Sequence, residues 1–173
     1  MAKAFDNRAG CLVAVETLKA LQDVSHPNVV YSGATVQEEV GIRGAQTSAT
    51  MIQSDVYIAL DVTCAMDTPG IEANDDDPKV GLGPVIIIYD SGLITNTKLR
   101  DLFIDTAEEE GIPYQTEVCI YDGGTDAESA HVTGYGVPSI NIGFHHDDLE
   151  NTVKLLTAVL KKLDQKTVDW IKS

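Results

Sequence analysis

An α/β fold, a three-layer αβα sandwich with a mostly parallel sheet, is predicted by three features of the sequence. Helix-type and strand-type segments alternate almost throughout. Val85-Ile86-Ile87-Ile88-Tyr89 opens with four consecutive β-branched residues and no polar alternation, as in a strand covered on both faces. The 173 residues, 43% of them apolar, suffice for one core, and no linker or internal repeat divides them, so residues 1–173 are expected to form a single domain.

Taken in order, Leu12, Ala14, Val15, Leu18 and Leu21 recur at helical spacing and predict a helix over 7–22, with Asp6 as its N-cap. Val29 to Thr35, entered through Pro27, is a β-type run. Ala45, Ala49 and Ile52 mark one face of a helix over 44–53. Val56 to Val62 reads as a strand, apolar on both faces until Asp61. The longest loop runs from Asp67 to Pro84, with Pro69, Asp75-Asp76-Asp77-Pro78 and three glycines. After the 85–89 strand, Thr95 is expected to cap a helix to about Glu110, which Gly111 and Pro113 stop. Thr116 to Tyr121 reads as a strand, 126–134 as a short helix, and Ser139 to Ile142 as the last strand. Asp147 or Asp148 opens an amphipathic helix carrying Leu149, Val153, Leu156, Val159, Leu160 and Leu163.

Lys and Arg number 12 against 27 Asp and Glu, a formal charge of −15. Such a chain is repelled by nucleic acid and by anionic membrane surfaces, which excludes both as expected partners. No run of eighteen apolar residues exists, and Met1 to Asp6 contains no basic segment followed by an apolar one, so a cytoplasmic location is expected. Cys11, Cys64 and Cys119 are widely spaced in apolar contexts and read as reduced core residues.

The excess acid fits either a solvated surface or a carboxylate cluster that holds cations. Ligands of open α/β sheets bind outside the carboxyl ends of the strands, and acidic features fall there. Glu38-Glu39 follows the 29–35 run, Asp61 ends its strand, and Asp122 and Asp126 flank Gly123-Gly124-Thr125. Asp6 can reach the same edge. Converging carboxylates repel one another unless some protonate or a divalent ion neutralises them. In the adjacent pair, one glutamate can bind an ion while the other handles a proton, an arrangement suited to metal-assisted hydrolysis. No G-x-G-x-x-G or P-loop follows the first strand, which disfavours a nucleotide binder.

Several segments in order resemble the M42 family of dinuclear metallo-aminopeptidases. They are Ala4-Phe5-Asp6-Asn7-Arg8-Ala9-Gly10-Cys11, Thr35-Val36-Gln37-Glu38-Glu39-Val40-Gly41, Ala59-Leu60-Asp61-Val62, Asp67-Thr68-Pro69-Gly70, Gly123-Gly124-Thr125-Asp126 and Gly136-Val137-Pro138. The resemblance implies two divalent ions, zinc or cobalt, and removal of N-terminal residues from peptide substrates. It implies Asp6 as the bridging ligand, Glu39 and Asp61 as ligands of one ion each, and Glu38 as the catalytic base. Asp126 and His131 are expected to support the site or meet substrate.

The family's two histidine ligands have no match in this sequence. Its first histidine lies in a segment, with an inserted dimerisation domain, that the family carries ahead of the Asp6 region. Where its second would stand, the chain runs Ile142-Gly143-Phe144-His145-His146-Asp147-Asp148. His145 or His146 is the candidate replacement ligand. The expectation is therefore a trimmed catalytic core with weak or no metal binding and little turnover. The alternative is a non-catalytic engineered scaffold or assembly module, in which the exposed edge becomes a homo-oligomer contact.

Overall fold

The computed structural model describes residues 3–72, 74, 77–119 and 124–173. Its elements in chain order are helices α1 (Phe5–Leu21) and α2 (Arg43–Ile52), strands β1 (Tyr57–Val62) and β2 (Val85–Tyr89), and helix α3 (Thr97–Glu110). Strand β3 (Gln115–Val118), helix α4 (Asp126–Ala130), strand β4 (Ser139–Phe144), and helices α5 (Leu149–Lys162) and α6 (Gln165–Lys172) follow. A 3₁₀ turn, His146–Asp148, joins β4 to α5.

Among the described residues the sheet has four strands in the order β1-β4-β2-β3. β1 pairs parallel with β4 (Asp61 opposite Gly143) and β2 parallel with β3, while β2 and β4 are antiparallel (Val85 opposite Gly143). Side-chain alternation separates two faces. Ile140, Ile142 and Phe144 of β4 and Ile86 of β2 join Val13 of α1, Leu99 and Phe103 of α3, Leu155 and Val159 of α5 and Ile171 of α6 in the main core. The other face is covered over part of its length, where Tyr57, Ala59, Leu93 and Ala127 form a smaller cluster beside α2 and α4. Beyond that cluster the same face turns polar, with Asp61, Glu117 and Asn141 lining a cleft. The sandwich is three-layered, and its thinner helical layer leaves room for a site.

Several sequence expectations need correction. Val29 to Thr35 forms no strand; Val29 and Tyr31 are exposed, and a β-type run without a paired neighbour and a covered face gains little from extension. Asp6 and Asn7 leave helical geometry inside α1, so its regular part starts after them, and Asn7 rather than Asp6 caps that part: Asn7 Oδ1 accepts the Gly10 N–H at 2.8 Å. Its buried side is Ala9, Val13, Thr17 and Leu21, whereas Leu12, Val15 and Leu18 face outward, because apolar residues encircle much of this helix and leave its facing ambiguous.

Asn96 rather than Thr95 caps α3, accepting the Leu99 N–H at 3.0 Å, while Thr95 bonds the Ile87 carbonyl. Cys11 and Cys64 are exposed and Cys119 half-buried, and none of them is in a disulfide, so they are not core residues. The C-terminal helix breaks at Leu163, and Asp164 caps a further helix by accepting the Thr167 N–H at 2.7 Å. Asp122 and Gly123 lie outside the described residues. No helix among the described residues is long and apolar enough to cross a membrane.

Candidate active site

Two local contacts press the start of α1 onto the end of β1. Asn7 Nδ2 donates to the Leu60 carbonyl at 2.7 Å, and a Cβ at Gly10 would lie 2.8 Å from that same oxygen. Only glycine permits so close an approach. Asp6 and Asp61, the chain neighbours of this contact, come to one end of the sheet as a result.

Asp61 accepts the Val62 N–H at 2.8 Å and the Thr125 hydroxyl at 2.7 Å. Burial raises its pKa; those hydrogen bonds oppose the rise, and the charges of Asp6 and Asp126 add to it. Asp126 opens α4. Its Oδ2 accepts the Thr35 hydroxyl at 2.6 Å, its Oδ1 is buried without a partner, and burial pushes its pKa up against the pull of Thr35. Its route to Asp61 differs from the one expected, because β3 runs antiparallel to β1 and ends at the far edge. Gly124 and Thr125 line the polar cleft instead, and Thr125 ties the start of α4 to Asp61.

Glu38 sits in a compact turn ahead of α2. Its carbonyl accepts the Gly41 and Ile42 N–H groups at 3.1 and 2.8 Å, and the Gly44 N–H bonds the Val36 carbonyl at 2.9 Å. A Cβ at Gly44 would stand 2.5 Å from Val36 backbone atoms, so the helix start packs directly on the turn. The Glu38 carboxyl is pushed up to about 7, first by burial and then by the charges of Asp61, Glu39, Asp126 and Asp6. Five acidic side chains from four separate stretches of chain therefore act on one another at this end of the sheet.

Their oxygen donors and mutual repulsion fit a divalent cation, as does the orphaned oxygen of Asp126. Among the described residues no three His, Cys, Asp or Glu side chains stand grouped closely enough to hold an ion.

The histidines have protein neighbours of their own. His145 is buried; its Nδ1 meets Asp148 Oδ2 at 3.3 Å, and its Nε2 has no partner. His146 is exposed and pairs with Asp147 at 3.1 Å. His131 Nδ1 returns to the Ala127 carbonyl at 3.2 Å.

Residues the sequence reading missed complete the cleft. Glu117 accepts the Thr63 hydroxyl at 2.8 Å; burial raises its pKa, while Thr63 and the nearby His145 oppose the rise. Asn141 Nδ2 donates to the buried Asp90, which also accepts the Gly92 and Leu93 N–H groups at 2.9 and 2.7 Å. Period-two spacing was the available signal, since Asp61 and Thr63 share a face, as do Gln115, Glu117 and Cys119.

An αβα sandwich with an acidic cleft where β1 ends is a zinc-peptidase-like α/β domain. The chain belongs to the M42 glutamyl aminopeptidase family, whose model matches residues 1–158. The glutamyl aminopeptidase of Lactococcus lactis is 36% identical over 100% of this chain and 50% of its own length. A crystal structure of a TET aminopeptidase from the archaeon Thaumarchaeota archaeon SCGC AB-539-E09 superposes with a TM-score of 0.92 at 38% identity, covering 98% of this chain and 51% of that one. The Pyrococcus horikoshii TET1 peptidase, described as able to assemble into a tetrahedron or a large octahedral shell, superposes at 0.75 with 29% identity over 92% of this chain and 49% of its own. The chain spans about half the length of the relatives it matches.

Proposed function

We propose that this chain carries the carboxylate part of a metal-dependent aminopeptidase site. The observation that supports the reading best is the raised pKa of Glu38, which four other acidic side chains at the same sheet end help to push toward neutrality. Asp6, Glu39 and Asp61 would hold divalent ions, zinc or cobalt, with Asp126 held by Thr35 alongside. Ions bound there supply Lewis acidity and neutralise the clustered charge. Glu38 is the proton acceptor: a carboxyl poised near neutral pH both takes and returns a proton efficiently. Thr125 and Val62 fix the orientation of Asp61, and Asn7 fixes the approach of Asp6.

With His145 engaged by Asp148 and His146 exposed, we expect metal binding by this chain alone to be weak and turnover low. The reading is tested by hydrolysis of leucyl and glutamyl p-nitroanilides in added zinc or cobalt, beside metal analysis after dialysis. Any turnover should fall about 10²- to 10⁴-fold in Glu38→Gln. Turnover that survives this change would remove Glu38 from the role of base.

A second reading, a homo-oligomeric assembly module, draws on the outward apolar side chains Leu12, Val15 and Leu18 of α1. Light scattering during size exclusion tests it, with a strictly monomeric chain as the contrary result. A reducing cytoplasm is the compartment we assign, supported by three cysteines outside any disulfide, two of them exposed.

A further inference from the structure

The run from Val29 to Ala34 has the composition of a strand and the surroundings of none. Among the described residues it forms no hydrogen bond, from backbone or side chain, and all of it but the half-buried Val30 is exposed. It is nevertheless held at both ends. Asn28 Nδ2 donates to the Leu160 and Leu163 carbonyls at 2.6 and 3.0 Å, where α5 finishes, and the Thr35 hydroxyl donates to Asp126, where α4 begins. Helix α5 starts beside the end of β4, near Asp61, and its 14 residues carry it about 21 Å away. Asn28 to Thr35 covers about 23 Å when extended, so the run is drawn out between its anchors.

Its path follows the rim of the sheet. Helix α5 lies in the layer of the main core and α4 in the layer of the smaller cluster, on opposite faces, so the run crosses from one layer to the other around a sheet edge. Both α1 and α4 pack on β1, an edge strand that pairs only with β4 among the described residues. The run heads for the acidic end through Glu38 and β1 through Asp61, and no hydrogen bond among the described residues joins them. Two unpaired main-chain edges therefore lie on one side of the sheet. Edges of this kind are ordinarily blunted by lysine, proline or a bulge. From Asn28 to Gln37 there is neither a charged residue nor a proline.

We propose that residues 29–34 and the outer edge of β1 take up a strand of a different polypeptide, an extended segment with an uncharged, β-branched centre of about six residues and basic residues at its ends. Main-chain groups of the two edges supply the hydrogen bonds, and the uncharged run receives side chains without opposing a charge. The basic ends follow from charge complementarity. The fixed charges nearest the run on either side are Asp23 and Glu38, and the acidic end of the sheet lies just beyond Thr35. A second copy of this chain is the wrong occupant, because its own run carries the same acidic flanks and would bring acid to acid. The inference is independent of the aminopeptidase reading, since it concerns backbone pairing and not the chemistry of the carboxylates.

The test titrates acetyl-Lys-Val-Thr-Val-Ile-Thr-Val-Lys-amide into ¹⁵N-labelled protein in EDTA and follows it by NMR and amide exchange. Binding should shift the amides of 30–34 and of β1 and slow their exchange. The same peptide N-methylated at alternate centre residues, and a version with glutamate in place of both lysines, should each bind at least tenfold more weakly. Successive N–H groups of an extended chain point to opposite edges, so the double variant Ser32→Pro with Gly33→Pro removes a donor whichever edge receives the strand. It should weaken the peptide at least tenfold with the unfolding temperature preserved; Tyr31→Pro with Ser32→Pro serves if that variant fails to fold. No binding, equal affinity for the N-methylated or glutamate-ended peptide, or undiminished binding by a folded variant would each overturn the proposal. So would shifts centred on the outward face of α1, or protection of 29–34 that grows with protein concentration before any peptide is added, which would make a second copy the occupant. Leucyl p-nitroanilide hydrolysis in added zinc, present or absent, bears on the peptidase reading alone.

Discussion

At the scale of single residues, the acidic end of the sheet is a place where folding works against ionisation. Glu38 titrates at about 7 in the folded chain against an ordinary 4.5. Between those values the folded state holds a proton that the unfolded chain has released, so stability falls as pH rises through this window. Its contribution is complete below about 4.5 and lost above about 7; Asp61, Asp126 and Glu117 are shifted in the same direction. In EDTA the unfolding temperature should be higher at pH 5 than at pH 8, and Glu38→Gln should flatten that dependence. Thermal melts across the pH range provide the measurement, and an unchanged slope in the variant would detach the effect from Glu38. Asn7 is the second residue with a calculable role. Asn7→Ala removes both the helix cap and the donor to the Leu60 carbonyl, and should cost about 1–3 kcal/mol in denaturant unfolding. Asp6 would also lose its anchor beside Asp61, so metal affinity should fall together with stability, whereas a purely structural cap would change stability alone.

The elements explain why some of this was legible beforehand. β2 announced itself through Val85 to Ile88, and its place between β4 and β3 agrees with a run apolar on both faces. α2, the α3 stop at Gly111 and the start of α5 near Asp148 were readable for the same local reasons: helical spacing and turn chemistry act over a few residues. What failed depended on distant partners. Val29 to Thr35 has strand composition, but whether it extends into a ladder depends on a neighbour that composition does not reveal. The facing of α1 was misread because its apolar residues surround it, and only packing against β1 and α5 selects Val13 and Leu21 over Leu12 and Leu18. Glu38, Asp61 and Asp126 were identified as acidic features near strand ends, yet the antiparallel course of β3 was invisible, so the crossing that returns Thr125 to Asp61 was missed. Backbone amide exchange offers a direct check at this scale. Amides of 29–34 should exchange far faster than those of β4, whose six residues are all buried in the sheet. Equal protection would mean that the 29–35 run is paired after all. In the main core, Phe103 of α3 is fully buried, and Phe103→Ala should cost about 3–5 kcal/mol.

For the molecule as a whole, one balance links stability to function. The chain carries a formal −15, and part of that excess is gathered around Glu38 by the packing of α1 and α4 against β1 and of α2 against α4. A solvated acidic surface would leave Glu38 near its ordinary pKa, since exposed charges are screened beyond about 8–10 Å at physiological salt. The raised value instead marks a carboxyl pushed up first by burial and then by acidic neighbours held close to it, and any ion that binds the folded cluster but not the unfolded chain must add to stability. A cation present at a hundredfold excess over its dissociation constant contributes about 2.7 kcal/mol. For a domain of this length that corresponds to a rise of roughly 5–10 °C in unfolding temperature. Zinc, cobalt or manganese should therefore stabilise the protein while monovalent salt at equal ionic strength should not, and EDTA should reverse the gain. Glu39→Gln separates specific binding from general screening, because it removes one proposed ligand and leaves the surrounding hydrogen bonds of Asp61 and Asp126 intact. The variant should melt in EDTA at or slightly above the parent temperature, having lost a repulsive charge, yet gain little from added metal. A Glu39→Gln protein that responds to zinc as the parent does would show that the ions bind elsewhere, and the cluster would then be acidic without being a metal site.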